Sequence, residues 1–295
     1  MFSFLRPYIF TLDPEAAHDL AIKSLKFNFM PNFIFQVEDE EMLTTELFKK
    51  KLKNPIGLAA GFDKSAEVYN SLFRLGFGFI EVGTVTPKRQ FGNPKPRVFR
   101  LEKDKALINR LGFNNDGSEI VSKRLKKNKP DEFLGINIGP NKNTKNKVLD
   151  FLDCFSKLNE FANYVTVNIS SPNTSGLRDF HNKKLLSELL SKLSNLKKRK
   201  KIKCPIVLKL SPDINENEIT NINEIVLKFK IDGVVLTNTT SQNRENLLDI
   251  NKNEKGGLSG QPLQNLSLNF IKNFYKSNNG KIPIIGVGGI DSGQS

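Results

Sequence analysis

The sequence has no tryptophan and, among 295 residues, only two cysteines and two histidines. Cys154 and Cys204 lie in no CxxC or Cys/His pattern, so we expect no disulfide framework, no zinc site and no other metal site. No apolar stretch approaches the ~20 residues of a membrane span. The start, MFSFLRPYIFTLDPEAAH, fits neither a secretory signal nor an Arg- and Ser-rich transit peptide. We therefore expect reduced thiols and a cytosol-facing protein.

Acidic residues are the scarcer charge, with 31 Asp and Glu against 45 Lys and Arg and a formal net charge of +14. Such an excess is compatible with nucleic-acid or anionic-membrane binding. The densest basic runs, Lys123–Lys129 and Lys197–Lys203, each end a predicted helix, where cations complement the helix dipole. No aromatic residues interleave them, as base stacking would require. We expect no specific nucleic-acid binding and retain an anionic membrane surface as a partner.

Short apolar runs alternate with longer amphipathic segments along most of the chain. Near-continuous apolar runs are typical of parallel strands covered on both faces. The predicted strands are Pro55–Ala60, Phe79–Thr84, Phe133–Gly139, Tyr164–Ser170, Pro205–Leu210, Gly233–Thr237 and Ile282–Gly288. The predicted helices are Lys64–Leu75, Asp116–Lys127, Lys147–Phe161, Lys183–Arg199, Glu216–Lys230 and Leu266–Tyr275. This alternation indicates an α/β protein, either a doubly wound sheet or a (β/α)8 TIM barrel.

Polar residues or glycines follow nearly every predicted strand, and this favours the barrel, whose enzymes build their site at several C-terminal strand ends. Only seven strand units are visible, and the sequence ends at Ile290–Ser295, where an Asp or Ser would cap the next helix. We therefore expect the eighth unit to be missing and the sheet to have an open edge. A fragment, a truncated gene product and an assembly that needs another part all remain open.

The residues before the first predicted strand belong to no barrel unit. Residues 1–45 are predicted to form a small helical cap, with a helix beginning near Asp13, and residues 46–295 the incomplete barrel. The cap is rich in apolar residues: Phe2, Phe4, Leu5, Tyr8, Ile9, Phe10, Phe27, Phe29, Met30, Phe33, Ile34 and Phe35. Such a segment is expected either to contact a membrane or form an apolar ligand entrance, or simply to pack on the barrel.

The segment Asn168–Arg178, NISSPNTSGLR, brings a hydroxyl to the end of a strand. The two histidines, His18 and His181, form no recognisable triad with it, so acyl transfer is not expected. A hydroxyl can accept a proton when its own proton passes on, and amides can orient a flat heterocycle. A Ser/Thr turn selected for loop geometry is the alternative.

This segment is similar to the signature of the dihydroorotate dehydrogenases. The similarity continues in order through AAGFDK, EVGTVTP, INRLGFNN, INIG, VLKLSPD, TNTT, GGLSG and IIGVGGID, from residue 59 to residue 291. A serine at the base position, together with the cap, resembles the class 2, quinone-dependent branch, whereas class 1 members carry a cysteine and lack the cap. The resemblance implies oxidation of (S)-dihydroorotate to orotate in de novo pyrimidine synthesis, with tightly bound FMN and ubiquinone or menaquinone as acceptor. It also implies a peripheral position on the cytoplasmic side of a bacterial inner membrane.

The resemblance also assigns roles to residues. Ser171 would take a proton from C5 of dihydroorotate while a hydride leaves C6, and Thr174 would relay the proton. Substrate positions are Lys64, Asn109, Arg110, Leu111, Gly112, Phe113, Asn168, Asn173, Asn238 and Thr239. FMN positions are Ala60, Gly61, Phe62, Asp63, Lys64, Thr84, Asn137, Asn168, Lys209, Thr237, Gly260 and Gly289. His18 and Arg100 match positions near the quinone channel.

Lys209 interrupts the apolar strand PIVLKL, where a cation would stabilise the negative charge of a reduced flavin. Two other classes of function remain open. One is another FMN barrel, either a class 1 dihydroorotate dehydrogenase using fumarate or NAD, or a tRNA dihydrouridine synthase. The tRNA dihydrouridine synthases use a cysteine as base, and neither Cys154 nor Cys204 lies in a matching loop. The other is a non-catalytic, basic RNA- or membrane-binding barrel fragment.

Overall fold

The computed structural model describes residues 2–27 and 41–293, with side chains from residue 6 onward. The predicted apolar residues between 28 and 40, and the side chains of Phe2, Phe4 and Leu5, lie outside the described residues. The strands are β1 (Thr45–Leu47), β2 (Lys50–Leu52), β3 (Gly57–Leu58), β4 (Phe79–Val85), β5 (Val98–Leu101), β6 (Ala106–Asn109), β7 (Phe133–Ile138), β8 (Tyr164–Asn168), β9 (Ile206–Leu210), β10 (Gly233–Leu236), β11 (Gly257–Gly260) and β12 (Ile284–Gly286). The α-helices are α1 (Phe2–Thr11), α2 (Pro14–Phe27), α3 (Tyr69–Phe73), α4 (Ser118–Lys127), α5 (Lys147–Leu158), α6 (Lys183–Arg199), α7 (Glu216–Lys228) and α8 (Gln264–Ser277).

Seven strands form one parallel sheet in the order β12-β10-β9-β8-β7-β4-β3. Each predicted apolar run contains one of these strands, which confirms the seven-strand prediction and the TIM-barrel fold. Helices α3 to α8 follow the strands and bury their apolar faces against the outer side of the sheet in one large core. Within the described residues, β3 and β12 are the outer strands, which agrees with the expected open edge.

One predicted helix is largely wrong. Lys64–Leu75 is predicted to be helical, but α3 covers only Tyr69–Phe73. The buried carboxylate of Asp63 accepts hydrogen bonds from the backbone N–H groups of Glu67 and Val68, at 2.8–2.9 Å. Ala66 has a φ of 52°, which is not helical. The carboxylate therefore holds this stretch as a turn, and the apolar spacing of the residues is that of a packed loop.

The N-terminal ends of the barrel strands enclose a separate apolar cluster. It contains Phe79, Phe133 and Tyr164, and the antiparallel hairpin β1–β2 covers it, with the Phe48 ring 5.7 Å from that of Tyr164. This hairpin is not predicted by the sequence analysis.

Large rings in this cluster lie over glycines on the neighbouring strands. Gly57 is the cross-strand partner of Phe79, and Gly135 that of Tyr164. A methyl group at either glycine would come within 2.2–2.3 Å of the facing ring.

A second, antiparallel sheet in the order β11-β6-β5 is inserted between barrel units. Strands β5 and β6 lie in the connection after β4, and β11 lies in the connection after β10. Because β6 ends at Asn109, this sheet delivers residues 109–113 to the C-terminal ends of the barrel strands. The sequence analysis assigns no element to these stretches and misses the sheet.

Helices α1 and α2 form the N-terminal cap. The Asp13 carboxylate accepts hydrogen bonds from the N–H groups of Glu15 and Ala16, which caps the start of α2. Helix α2 packs on β5 and α3, and its Leu25 carbonyl accepts a hydrogen bond of 2.9 Å from Ser71 Oγ. None of the described helices is both long and apolar enough to cross a bilayer.

Candidate active site

A cavity of about 350 Å³ lies where the C-terminal strand ends meet the antiparallel sheet. Most of the predicted site residues line it, although they come from every part of the chain. They are Ala60, Gly61, Lys64, Thr84, Asn109, Leu111, Gly112, Phe113, Asn168, Ser171, Asn173, Lys209, Thr237, Asn238, Thr239, Gly260 and Gly289. Since the lining combines two cations, several amides and several hydroxyls, the cavity suits a polar, anionic ligand.

Ser171 is buried at the wall of this cavity, and its Oγ accepts a hydrogen bond of 3.2 Å from the backbone N–H of Asn173. The preceding residue holds the loop in place. Ser170 Oγ donates to Asn168 Oδ1 and accepts from Asn238 Nδ2, both at 2.8 Å. Thr174, in the same loop, is buried and is not part of the cavity lining.

The floor of the cavity is a network of buried polar side chains. Asn137, which does not line the cavity, accepts from Thr84 Oγ1 at 2.7 Å and from Asn168 Nδ2 at 3.2 Å. Its own Nδ2 donates to Glu81 Oε1 at 2.8 Å, and Thr166 Oγ1 donates to the other Glu81 oxygen at 2.7 Å. Asn137 is therefore a support for the floor.

Glu81 and Lys209 are the charged groups nearest this network. Lys209 is buried, and burial lowers the pKa of its ammonium while the Glu81 carboxylate acts in the opposite direction. The sequence analysis misses Glu81, although an acidic residue inside the apolar run FIEVGT is a signal that could have identified it.

Lys64 lies between this cavity and a second, polar cleft of about 490 Å³. Burial lowers the pKa of Lys64 to about 8, while the carboxylates of Glu15 and Asp19 raise it. The predicted residues Phe62 and Asp63 line the second cleft and not the first. Burial also raises the pKa of Asp63, although hydrogen bonds from the Glu67 and Val68 amides oppose this.

Arg110 does not line the cavity with its neighbours. Its guanidinium pairs with Glu254 at 2.6 Å and lies 4.5 Å from the centre of the Phe99 ring. The backbone on either side lies closer to the cavity, because Asn173 Nδ2 donates to the Asn109 carbonyl at 3.1 Å.

The two predicted quinone-channel residues both contact the N-terminal helices and lie outside the main cavity. His18 Nε2 lies 2.7 Å from the Phe62 carbonyl, so the Nε2-protonated tautomer donates to it. Arg100 donates to the carbonyls of Phe10 and Leu12, at 3.2 and 2.8 Å, and stacks over the Phe10 ring. Arg100 thus fixes the end of α1 on the inserted sheet.

An ion pair missed by the sequence analysis holds the serine loop. Arg178 Nε donates to the Ser170 carbonyl, and its Nη1 pairs with Asp213 at 2.9 Å. The pKa of Asp213 is lowered: burial acts against this, but hydrogen bonds from Ser241 and Thr240 and the charge of Arg178 outweigh it. Arg178 ends the motif NISSPNTSGLR and Asp213 ends the motif VLKLSPD. Their opposite charges, at two neighbouring strand ends, are the signal from which the sequence could have predicted this ion pair.

Thr237 and Gly61 are two lining residues at which a ligand can form a new contact. Thr237 Oγ1 is buried without a hydrogen-bond partner in the part of the chain that the structure describes. Gly61, at a φ of 119°, would direct a methyl group into open space, with no atom within 4 Å. A ligand can therefore approach the backbone at Gly61 closely and bond to the Thr237 hydroxyl.

The two cysteines lie outside the cavity lining. Cys154 and Cys204 are buried and form no disulfide, and their thiols donate to the Val85 and Ala162 carbonyls. Burial raises the pKa of both thiols, that of Cys204 to about 12. Across residues 2–27 and 41–293, no three His, Cys, Asp or Glu side chains are grouped as metal ligands.

Comparison with known proteins identifies the family. The sequence model of the family Dihydroorotate dehydrogenase matches residues 42–295. A dihydroorotate dehydrogenase (quinone) from Christiangramia forsetii is 48% identical, with 99% of this chain and 88% of that protein covered. The mitochondrial dihydroorotate dehydrogenase (quinone) of Mus musculus is 43% identical, with coverage of 96% and 74%. A crystal structure of Eimeria tenella DHODH in complex with ferulenol superposes with a TM-score of 0.91, at 37% identity and coverage of 96% and 81%. The chain belongs to the dihydroorotate dehydrogenase family.

Proposed function

We propose that this protein is a quinone-dependent dihydroorotate dehydrogenase, which oxidises (S)-dihydroorotate to orotate in pyrimidine synthesis. One observation carries the proposal: a single cavity at the barrel strand ends combines a buried hydroxyl, Ser171, with the cations of Lys64 and Lys209. The family membership and the quinone-dependent relatives support the same activity.

A flavin, specifically FMN, is the proposed cofactor, and the cavity fits such a group. The unpartnered Thr237 hydroxyl offers a hydrogen bond, and the open space at Gly61 admits a flat ring against the backbone. The proposed binding residues are those that line the cavity: Ala60, Gly61, Lys64, Thr84, Asn168, Lys209, Thr237, Gly260 and Gly289. Phe62, Asp63 and Asn137, which lie outside the lining, are proposed to support them. When bound, FMN supplies an acceptor for the hydride from C6 of dihydroorotate.

The chain's own residues then bind the substrate and move one proton. Ser171 Oγ takes the proton from C5, and Thr174, buried three residues further on, relays a proton outward. The Lys64 ammonium holds the substrate carboxylate. The amides of Asn109, Asn168, Asn173 and Asn238, with the backbone of residues 111–113 and Thr239, orient the cyclic diamide. Arg110, paired with Glu254, is proposed to support that backbone. Lys209 places its cation at the floor, where it stabilises an electron-rich ligand.

The N-terminal cap, residues 1–45, is the proposed quinone and membrane element. Apolar side chains on and beside it are exposed: Tyr8 is 66%, Leu20 50%, Phe27 69% and Met42 81% exposed. The formal charge of +14 favours an anionic surface, at roughly 1 kcal/mol per nearby Lys or Arg. His18 and Arg100, which hold the cap on the barrel, are the proposed quinone-side residues. The proposed location is peripheral, on the cytoplasmic side of a bacterial inner membrane, with ubiquinone or menaquinone as acceptor.

Anaerobic titration tests the proposed activity. The purified chain, loaded with FMN, should lose its visible flavin absorbance on addition of dihydroorotate and regain it on addition of a quinone. Fumarate and NAD should not restore the colour at a comparable rate, because those acceptors belong to the class 1 enzymes. Absence of bleaching would contradict the dehydrogenase, and recovery with fumarate or NAD alone would contradict quinone dependence.

A further inference from the structure

A buried ion pair joins the cap to the barrel. The carboxylate of Glu15, in the first turn of α2, receives Arg97 Nε at 3.0 Å and Arg97 Nη2 at 2.5 Å, a two-pronged contact. Glu15 is 9% and Arg97 6% exposed. The Arg97 hydrogen bond, and secondarily its charge and that of Lys95, hold the pKa of Glu15 below its ordinary value despite burial. The pair is therefore charged at neutral pH.

The remaining donors of Arg97 hold the loop that precedes β5. Nη1 donates to the Phe91 carbonyl at 2.6 Å and to the Asn93 carbonyl at 2.8 Å. The guanidinium therefore binds Glu15 on one side and two loop carbonyls on the other. Arginine's planar fork suits this arrangement, and a lysine could not reproduce it.

The same loop is bonded to the backbone of the active-site cavity. Asn93 donates from its N–H to the Leu111 carbonyl at 3.0 Å and from Nδ2 to the Arg110 carbonyl at 2.9 Å. The Arg97 carbonyl accepts from the Arg110 N–H at 2.8 Å. Leu111 and Gly112 line the cavity, so only one intervening residue separates the guanidinium from the cavity wall.

The contact between loop and wall is close enough to transmit displacement. Gly92 has a φ of 83°, and a methyl group there would lie 2.3 Å from the Leu111 carbonyl and 2.6 Å from Arg97 Nη1. Only glycine permits this approach. A shift of Arg97 therefore moves the wall, because no void separates them.

We infer that Arg97, anchored by Glu15, is a positioning residue for dihydroorotate. Through Arg97, the position of α2 on the barrel determines the position of the backbone of residues 109–112. The inference rests on the proposed function. It makes α2, part of the proposed quinone element, a determinant of affinity for the other substrate. Arg97 acts through the loop carbonyls and does not itself line the main cavity.

The test compares two uncharged substitutions on α2 in the FMN-loaded protein. Glu15→Gln preserves shape but removes the charge that orients Arg97. Because the Glu15 carboxylate also raises the pKa of Lys64, the measurements are made near pH 6, where Lys64 stays protonated in every variant. Lys26→Gln is the control: it removes a different ion pair between α2 and the barrel, the pair of Lys26 with Glu67. Neither residue of that pair is bonded to residues 90–111. Orotate affinity is measured from the flavin spectral shift, and anaerobic flavin reduction is followed over a range of dihydroorotate concentrations.

Glu15→Gln should raise the orotate Kd and the half-saturating dihydroorotate concentration about tenfold, within the usual span of coupling between sites. The limiting rate of reduction should stay within about twofold. Lys26→Gln should match the unchanged protein in both quantities. If Glu15→Gln fails to fold, Arg97→Lys, which retains the charge but loses the fork, should show the same division between affinity and rate.

Three outcomes would overturn the inference: unchanged affinity in Glu15→Gln or Arg97→Lys, an equal loss in Lys26→Gln, or a loss confined to the limiting rate. Each leaves the proposed function standing, since the unchanged protein would still bleach with dihydroorotate. Failure of that bleaching would instead remove the proposed function.

Discussion

The side chains that β8 directs into the barrel change along the strand from the apolar ring of Tyr164 to the polar amide of Asn168. The neighbouring strands show the same change. Residues two apart on a strand share a face. Strand β7 accordingly changes from Phe133 to Asn137, and β9 from Val207 to Lys209. The N-terminal end of the interior is thus apolar, and the C-terminal end is polar and opens to the cavity.

The two ends differ in what their residues require. The Phe79 and Phe133 rings at the apolar end need only filled space, which the hairpin β1–β2 completes. Tyr164 also buries its hydroxyl, next to the Glu81 carboxylate. At the polar end each buried group needs a partner, and Glu81 supplies two acceptor oxygens midway between the ends. We conclude that the apolar end contributes stability and the polar end contributes chemistry, so substitutions at the two ends should have separable effects.

The largest expected effect is at the polar end. Ser171→Ala should slow flavin reduction by dihydroorotate by roughly 10²–10⁴-fold, because the proton acceptor is lost. Orotate affinity and the free energy of unfolding should change little, since Ser171 Oγ accepts only one hydrogen bond, from Asn173 N–H, in the described structure. Stopped-flow reduction and urea unfolding measure these quantities. Ser194→Ala, on α6 and away from the cavity, is the matched control; comparable losses of rate and binding in Ser171→Ala would assign the serine a positioning role.

A smaller effect is expected at the apolar end. Phe48→Ala should lower the free energy of unfolding by about 2 kcal/mol, because a half-buried ring is removed from the cover over Tyr164. Orotate affinity should stay within about twofold. Leu248→Ala, at a side chain 71% exposed, should change stability by less than about 0.5 kcal/mol. Loss of orotate binding in Phe48→Ala would show that the two ends are not separable.

The smallest effect concerns pH. Lys64 has a pKa of about 8, so its cation, and with it the grip on the orotate carboxylate, is fully present below that pH and is lost as the pH rises through it. The orotate Kd should be flat from about pH 6.5 to 7.5 and then rise by up to about tenfold per pH unit. Lys64→Arg, which stays charged, should flatten this rise. Identical profiles in the two proteins would exclude Lys64 as the titrating group.

The sequence predicts the parallel sheet well because each buried strand is recorded locally as a run of apolar residues. The cavity is also largely predicted, since chain order and fold bring the strand ends together once the barrel is assumed. Lys64, Ser171 and Lys209 all line one cavity for this reason.

Several of the missed features depend on partners far apart in the chain. Glu15 and Arg97 are 82 residues apart, and neither lies in a pattern that requires the other. Strand β11 pairs with β6 across barrel units, so its register is set by the fold and not by local period. The β5–β6 and β1–β2 hairpins are local, but their short strands contain no long apolar run that would predict them. The incorrect prediction of a helix at Lys64–Leu75 has the opposite cause. There the local apolar pattern is typical of a helix, but the hydrogen bonds to the Asp63 side chain hold the backbone in a turn.

The cross-strand pairs Gly57–Phe79 and Gly135–Tyr164 have an evolutionary consequence. Each ring occupies the room that its partner's side chain would need, so neither position can drift alone. Enlarging a glycine is tolerated only after the ring has been lost, and losing the ring leaves a void until the glycine is enlarged. Among homologues these positions should exchange bulk in pairs, as reciprocal changes of small and large residues across adjacent strands.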